Sequence, residues 1–161
     1  MELKFKKLDY KTTDKDGVEV TVKSNATLPT RIVEGSAGVD LYCTRITQEK
    51  DKSGKLVLVY HTDIAVEIPE GYVGLLMHKS SVSNRSIMLT NCVGVIDHGY
   101  TGELMAKMKV TTDAIPTIYS LGEQFAQLVV VPYLDATPVF VEELAESERG
   151  DKGFGEADKV K

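Results

Sequence analysis

Residues 91–103 read NCVGVIDHGYTGE, and how this stretch folds decides the class of the whole chain. CVGVI is short, apolar and rich in β-branched residues, the pattern of a strand. It runs into Asp97. Gly99 and Gly102 then flank Tyr100, so the spacing predicts a hairpin turn leading into the next apolar segment. That segment is ELMAKMKV. Nothing here repeats with the 3.6-residue period of a helix.

The same texture extends in both directions. Leu3, Phe5 and Leu8 open an extended segment, and VEVTV at 18–22 alternates as a half-buried strand does. Val57 to Tyr60, Ile64 to Ile68 and Tyr72 to Met77 follow, with Pro69 and Gly71 of PEGY as the turn between two of them. IMLT, TIYSL, FAQLVVVPYL and VFVEEL complete the series. KTTDKDG at 11–17 and DKSGK at 51–55 read as solvated loops. One helical turn is expected near Ser80–Arg85, with a serine as its N-cap. Many short strands with turns between them predict an all-β fold: a sandwich, barrel or jelly roll with one short helix.

The chain has 161 residues, 42% hydrophobic and 27% charged, with aromatics at 7% and no tryptophan. That fits one domain with a small core, for which oligomerisation is a natural way to bury more surface. The division expected is a β domain at 1–145 and a flexible C-terminal arm at 146–161. The net charge of -5 argues against direct nucleic-acid binding or a polybasic membrane contact. It leaves room for a small phosphorylated ligand. MELKFKKLDY has no apolar h-region and no apolar run is long enough to span a bilayer, so a soluble cytoplasmic protein is expected. Cys43 and Cys92 lie in apolar stretches and read as reduced core thiols, with a single disulfide between them left open.

Four stretches interrupt the strand pattern with chemistry. In GSAGVDLY (35–42), Asp40 breaks an apolar strand, where a carboxylate needs a partner. HKSSVSNRS (78–86) puts Lys79, Ser80 and Ser81 at a helix start, which is either an anion site or an ordinary capping turn. In 91–103, Asp97 stands at a strand end, either on a pocket rim as a general base for a water, with Tyr100 as an apolar wall, or as the capping aspartate of a polar hairpin tip. Gly94 admits close approach of a ligand to the backbone. In the tail, ERGDKGFG, Arg149 offers a planar fork for phosphate and Phe154 a ring for stacking, on glycines that let the segment move. Phosphate-loop, dinucleotide, CxxC and HExxH patterns are missing from the sequence, and the three histidines have no metal-ligand spacing.

With GEQFAQL at 122–128, these stretches occur in an order that resembles the trimeric dUTP diphosphatases (dUTPases). The five family motifs match as AGVDLY, KSSVSNR, NCVGVIDHGYTGE, GEQFAQL and RGDKGFG, covering the chain from Gly35 to Gly155. The resemblance implies a jelly-roll β-sandwich or distorted barrel. It also implies a homotrimer whose active sites are shared between subunits, with the C-terminal arm reaching a neighbour's site. The implied reaction is dUTP plus water giving dUMP and pyrophosphate, with Mg²⁺ on the triphosphate, keeping uracil out of DNA and supplying dUMP for thymidylate synthesis.

Residue by residue, the resemblance makes Asp97 the general base for attack at the α-phosphorus. Tyr100 packs under the deoxyribose and excludes a 2′-hydroxyl. Asn91, Gly94, Val95 and Ile96 read uracil, largely through main chain, and Phe154 stacks on it. Lys79, Ser80, Ser81, Gln127, Arg149, Gly153 and Gly155 bind phosphates. Asp40 serves the metal indirectly, through water. Three positions depart from the family pattern: Lys79 stands for an arginine, Glu123-Gln124 for Glu-Arg, and Glu156-Ala157-Asp158 for small hydroxyl residues and a glycine. Two other readings stand beside this one. A dCTP deaminase shares the fold, but Lys107 occupies the position of its catalytic glutamate. A catalytically weak member of the fold that binds a regulatory protein partner is the other.

Overall fold

The computed structural model describes residues 2–153. The positions of Phe154 and Gly155, and the departure at 156–158, lie outside them. Twelve short strands run β1 (Lys4–Lys7), β2 (Tyr10–Thr13), β3 (Glu19–Val22), β4 (Val39–Tyr42), β5 (Arg45–Lys50) and β6 (Leu56–His61). They continue with β7 (Ile64–Glu67), β8 (Tyr72–His78), β9 (Ile87–Leu89), β10 (Gly94–Ile96), β11 (Met105–Val110) and β12 (Gln124–Pro132). Two four-stranded sheets, ordered β10-β8-β12-β4 and β5-β6-β11-β9, carry the core, and the pairs β1-β7 and β2-β3 flank them. All named pairs are antiparallel. The all-β expectation holds as a sandwich; no closed barrel forms among the described residues.

The core follows from alternation. On β4 Val39 and Leu41 are buried between half-exposed Asp40 and Tyr42. On β11 Ala106 and Met108 point inward while Met105, Lys107 and Lys109 are exposed. The sheets meet where the Tyr60 ring stacks on Phe125, with centroids 5.1 Å apart. Tyr60 and Tyr119 also trade hydrogen bonds: the Tyr60 hydroxyl donates to the Tyr119 carbonyl (3.3 Å), and the Tyr119 N–H donates back to that oxygen (3.2 Å). A bulge in β12 adds Phe125 between the pairs Gln124–Tyr42 and Ala126–Leu41. Phe125 and Ala126 are thereby both buried.

Five expectations need correction. The stretch from Asp97 to Gly102 does turn, but it is not a hairpin: β10 pairs with β8, whereas β11 pairs with β6 and β9. The turn therefore carries the chain from one sheet to the other. The helical turn is a 3-10 turn at Ser80–Asn84, whose N-cap is Lys79 with no side-chain cap, not a serine. TIYSL is not a strand; Tyr119 enters the core from irregular chain. VFVEEL is not a strand either, and Phe140 lies fully exposed. Tyr10–Thr13, read mostly as loop, forms β2 against β3.

Candidate active site

Strand β10 is an edge strand, paired only with β8, so its outer row of backbone N–H and C=O groups has no partner in the sheet. A cavity of about 350 Å³ opens along it, within the usual size of a small-ligand site. Six expected residues line it together: Asn91, Gly94, Val95, Ile96, Asp97 and Tyr100. Cys92, at φ 60°, turns the chain so that the strand begins only at Gly94, later than CVGVI predicts. A Cβ on Gly94 would come within 3.3 Å of the Leu76 Cβ, so the glycine lets β10 lie close on β8.

Asp97 is the first residue past the strand and is exposed. Its carbonyl accepts the Tyr100 N–H at 3.2 Å, closing the turn in which Gly99 adopts φ 84°. The Tyr100 ring is laid across Gly102 so closely that a Cβ there would overlap its hydroxyl. That hydroxyl donates to the Glu103 carbonyl at 3.2 Å. One ring face is thus held in the cavity wall by the chain immediately after it.

Leu76, Leu89, Thr90, Met105 and Lys107 complete the lining and were not foreseen. The signal for the last two was the alternation of ELMAKMKV, which puts both on the face opposite Ala106 and Met108. The Lys107 ammonium is held by the Glu49 carboxylate at 2.7 and 2.9 Å.

A second group of expected residues gathers at the β4–β12–β8 end of the same sheet. Asp40 pairs with Gln127 across the β4–β12 ladder. Lys79, just past β8, forms an ion pair with Asp40 at 2.8 Å and donates to the Gln124 Oε1 at 2.8 Å. Gln124 in turn donates to the Tyr42 hydroxyl at 2.9 Å. Lys79 and Gln124, from two of the three departures named above, are therefore bonded to each other. Gln127 donates to the His78 carbonyl (2.8 Å), the Ser81 hydroxyl shares a hydrogen bond with Tyr119 (2.9 Å), and Ser80 is exposed. Arg149 is exposed in a local turn, where it donates to the Lys152 carbonyl (3.3 Å); no described residue comes within 4 Å of a Cβ placed on Gly153. None of these residues lines the β10 cavity.

Beside the 97–103 turn lies a partly buried charge cluster that sequence reading missed. Arg45 reaches Asp63 (2.8 Å) and Glu103 (3.0 Å), and Glu103 accepts from the backbone N–H of Asp63 (2.9 Å) and Thr62 (3.2 Å). Burial alone would raise the Glu103 carboxyl. The His61 ring, the Asp63 N–H and Arg45 outweigh it and hold the group below the usual carboxylate range. His78 is also lowered, by burial, and in a base this favours the neutral form, whose Nε2 accepts the Leu89 N–H at 2.7 Å. Cys43 is buried and Cys92 exposed, and both are free thiols, so the reading of Cys92 as a core thiol is corrected.

Among the described residues no group of three or more His, Cys, Asp or Glu side chains could cage a metal ion. Asp40 is the one predicted metal-side carboxylate, and Lys79 already neutralises it. This donor set fits a Mg²⁺ that arrives on substrate phosphates and touches the protein through water. No helix among the described residues is long and apolar enough to cross a membrane.

A dUTPase family model matches residues 24–157. This chain belongs to the dUTPase family. It is 36% identical over 140 residues to the deoxyuridine 5'-triphosphate nucleotidohydrolase of Tropheryma whipplei strain Twist, covering 86% of this chain and 92% of the relative. It is 38% identical over 136 residues to the enzyme of that name from Paraburkholderia phymatum, covering 82% and 89%. Among solved structures, a mutant dUTPase of Staphylococcus bacteriophage 80alpha with dUpNHpp superposes with TM-score 0.74 at 30% identity, covering 97% of this chain and 98% of that one. A dUTPase mutant from phage phi11 of S. aureus, described with a structural Mg(II) ion, gives 0.66 at 26%, covering 91% and 100%. The strand order of this dUTPase-family chain is therefore the family's jelly roll, with β1–β3 lying ahead of the matched span.

Proposed function

We propose that this chain hydrolyses dUTP to dUMP and pyrophosphate, with Asp97 taking a proton from the water that attacks the α-phosphorus. The observation that carries the reading is the juxtaposition at β10: an unpaired strand edge, a free-standing carboxylate at its end and a ring clamped beside both. The edge amides and carbonyls of Gly94–Ile96 suit the alternating donors and acceptors of a uracil edge. The Asp97 carboxylate makes no hydrogen bond among the described residues and is open to a water. A general base of this kind contributes roughly 10²–10⁴ in rate. The Tyr100 face, fixed by its bond to Glu103, suits a flat sugar without a 2′-hydroxyl. When bound on the triphosphate, Mg²⁺ shields its charge and fixes its conformation.

Asp40, Lys79, Ser80, Ser81, Gln127, Arg149 and Gly153 are the proposed phosphate side of the site, with Asp40 acting on the metal through water. Their separation from the β10 cavity within a single chain supports a site completed by neighbouring subunits. The bare apolar segment of the tail supports the same reading. Phe140 and Leu144 are 108% and 86% exposed, which a lone chain in water does not sustain at no cost. We therefore propose a homotrimer in which residues 134–153 cross to another subunit.

The test is pyrophosphate release from dUTP with Mg²⁺, run beside dCTP, dTTP and UTP. Turnover of dUTP alone, lost in Asp97→Asn, is expected. Binding of dUTP without hydrolysis, or conversion of dCTP to uracil products, would overturn the reading.

A further inference from the structure

The hairpin β2–β3 precedes the span that the family model matches. Its position is specific. Both of its ends fasten on one atom, the Asp63 carbonyl oxygen, which accepts the Leu8 N–H at 2.8 Å and the Ser24 hydroxyl at 3.2 Å. Asp9 closes the base of the hairpin by accepting from Lys23 (2.7 Å) and from the Ser24 N–H (3.1 Å). From the hairpin's first residue, the Tyr10 ring lies against the Arg45 guanidinium, 4.5 Å from centroid to Cζ. Arg45 is the residue that holds Glu103 at 3.0 Å, and the Glu103 carbonyl holds the Tyr100 hydroxyl at 3.2 Å.

We propose that the β2–β3 hairpin positions the 97–103 turn, through Tyr10, Arg45 and Glu103, and so sharpens the choice of sugar at Tyr100. The clause about sugar choice rests on the function proposed above; the positioning does not. Each link is a direct contact. Tyr10 covers one face of the guanidinium and restricts it to the plane in which it meets both Asp63 and Glu103. Glu103 cannot shift alone, because its carboxylate also accepts two backbone N–H groups at the β6–β7 corner. Its neighbour Leu104 is pinned on both sides, donating to the Ile64 carbonyl (2.9 Å) and accepting from the Thr62 hydroxyl (2.6 Å). The turn thus leans on a rigid corner, and the hairpin is the outer wall of that corner. Asp63, buried and at φ 50°, is the strained residue on which hairpin and corner meet. These residues position the turn; none of them touches the cavity.

The experiment compares the full chain with Tyr10→Ala, Tyr10→Phe and Lys11→Ala. Tyr10→Phe keeps the ring, and Lys11→Ala breaks a pair with Glu19 on the same hairpin without touching Arg45. Hydrogen exchange followed by mass spectrometry reads the amides of 98–104. Tyr10→Ala is expected to speed exchange there about fivefold, the worth of one exposed cation–π contact, and to leave β6, β8 and β12 unchanged. Tyr10→Phe and Lys11→Ala are expected to match the parent. No change at 98–104 in Tyr10→Ala, or an even rise across all sheets, overturns the proposal. In the kinetic arm, Tyr10→Ala is expected to raise the KM for dUTP with little change in kcat, and to lower the preference for dUTP over UTP by a similar factor. An unaltered preference overturns the role in sugar choice. A protein that turns over no nucleotide would sink the proposed function, while the exchange comparison would still decide whether the hairpin holds the turn.

Discussion

Asp97 and Tyr100 owe their places to neighbours in the chain. Asp97 stands free because β10 ends at Ile96, and Tyr100 lies flat because Gly102 has no side chain. Replacing Gly102 by alanine drives a methyl into the ring, which must swing out of the cavity wall. We expect Gly102→Ala to lower kcat/KM for dUTP by about tenfold or more and to narrow the gap to UTP, in steady-state assays. The thiols separate as cleanly. Burial pushes the Cys43 thiol up to about 12, whereas Cys92 is exposed. A thiol reagent at neutral pH should titrate a single cysteine in the native protein and a second only in denaturant. His78 gives a pH signature. Its folded form resists protonation, so an unfolded chain binds the proton more readily. The stability it contributes is whole above its ordinary value of 6.5 and is lost as pH falls through the lower, folded value. The melting temperature should decline over that acid range, and the His78 ring should titrate below 6.5 by NMR.

At the scale of elements, alternation was legible and partnership was not. GVDLY and ELMAKMKV announce β4 and β11 because buried and exposed residues take turns along them. RITQEK, the edge strand β5, carries polar residues outward and has Ile46 as its single apolar residue, too little to read as a strand. The crossing from β10 to β11 was misread as a hairpin because glycines specify a turn, not which sheet the chain enters next. The bulge at Phe125 was invisible for a related reason: two consecutive buried residues look the same in a straight strand. That bulge belongs to the aromatic joint between the sheets. Tyr60→Phe removes the hydroxyl that serves both the Tyr119 carbonyl and its N–H, leaving the two groups buried and unmet. We expect a loss of about 1–3 kcal/mol in denaturant titrations, with the fold retained.

For the whole molecule, the motif residues Asn91, Gly94, Val95, Ile96, Asp97 and Tyr100 come together along one cavity, since that stretch is continuous and local. The charged cluster of Arg45, Asp63 and Glu103 was not legible, because its members come from three separated segments and none breaks a pattern. The residues proposed for the phosphates gather apart from the cavity, and the apolar stretch around Phe140 lies bare. In the trimer proposed above, both features belong to assembly, which one chain cannot display. In light scattering the intact protein should weigh three chains. Truncation after Ser147, which removes Arg149 together with the rest of the arm but keeps Phe140, should leave that mass unchanged. It should also cut turnover by about 10²-fold, the cost of a lost phosphate clamp and closing lid.

The chain passes from one sheet to the other between Asp97 and Glu103, so the groove beside β10 sits on the seam of the sandwich. Its width is therefore a gauge of how the two layers are seated. A substitution deep between them, far from any nucleotide, would register as altered catalysis before it registered as unfolding. Turnover could then serve as a sensitive reporter of the packing of the core.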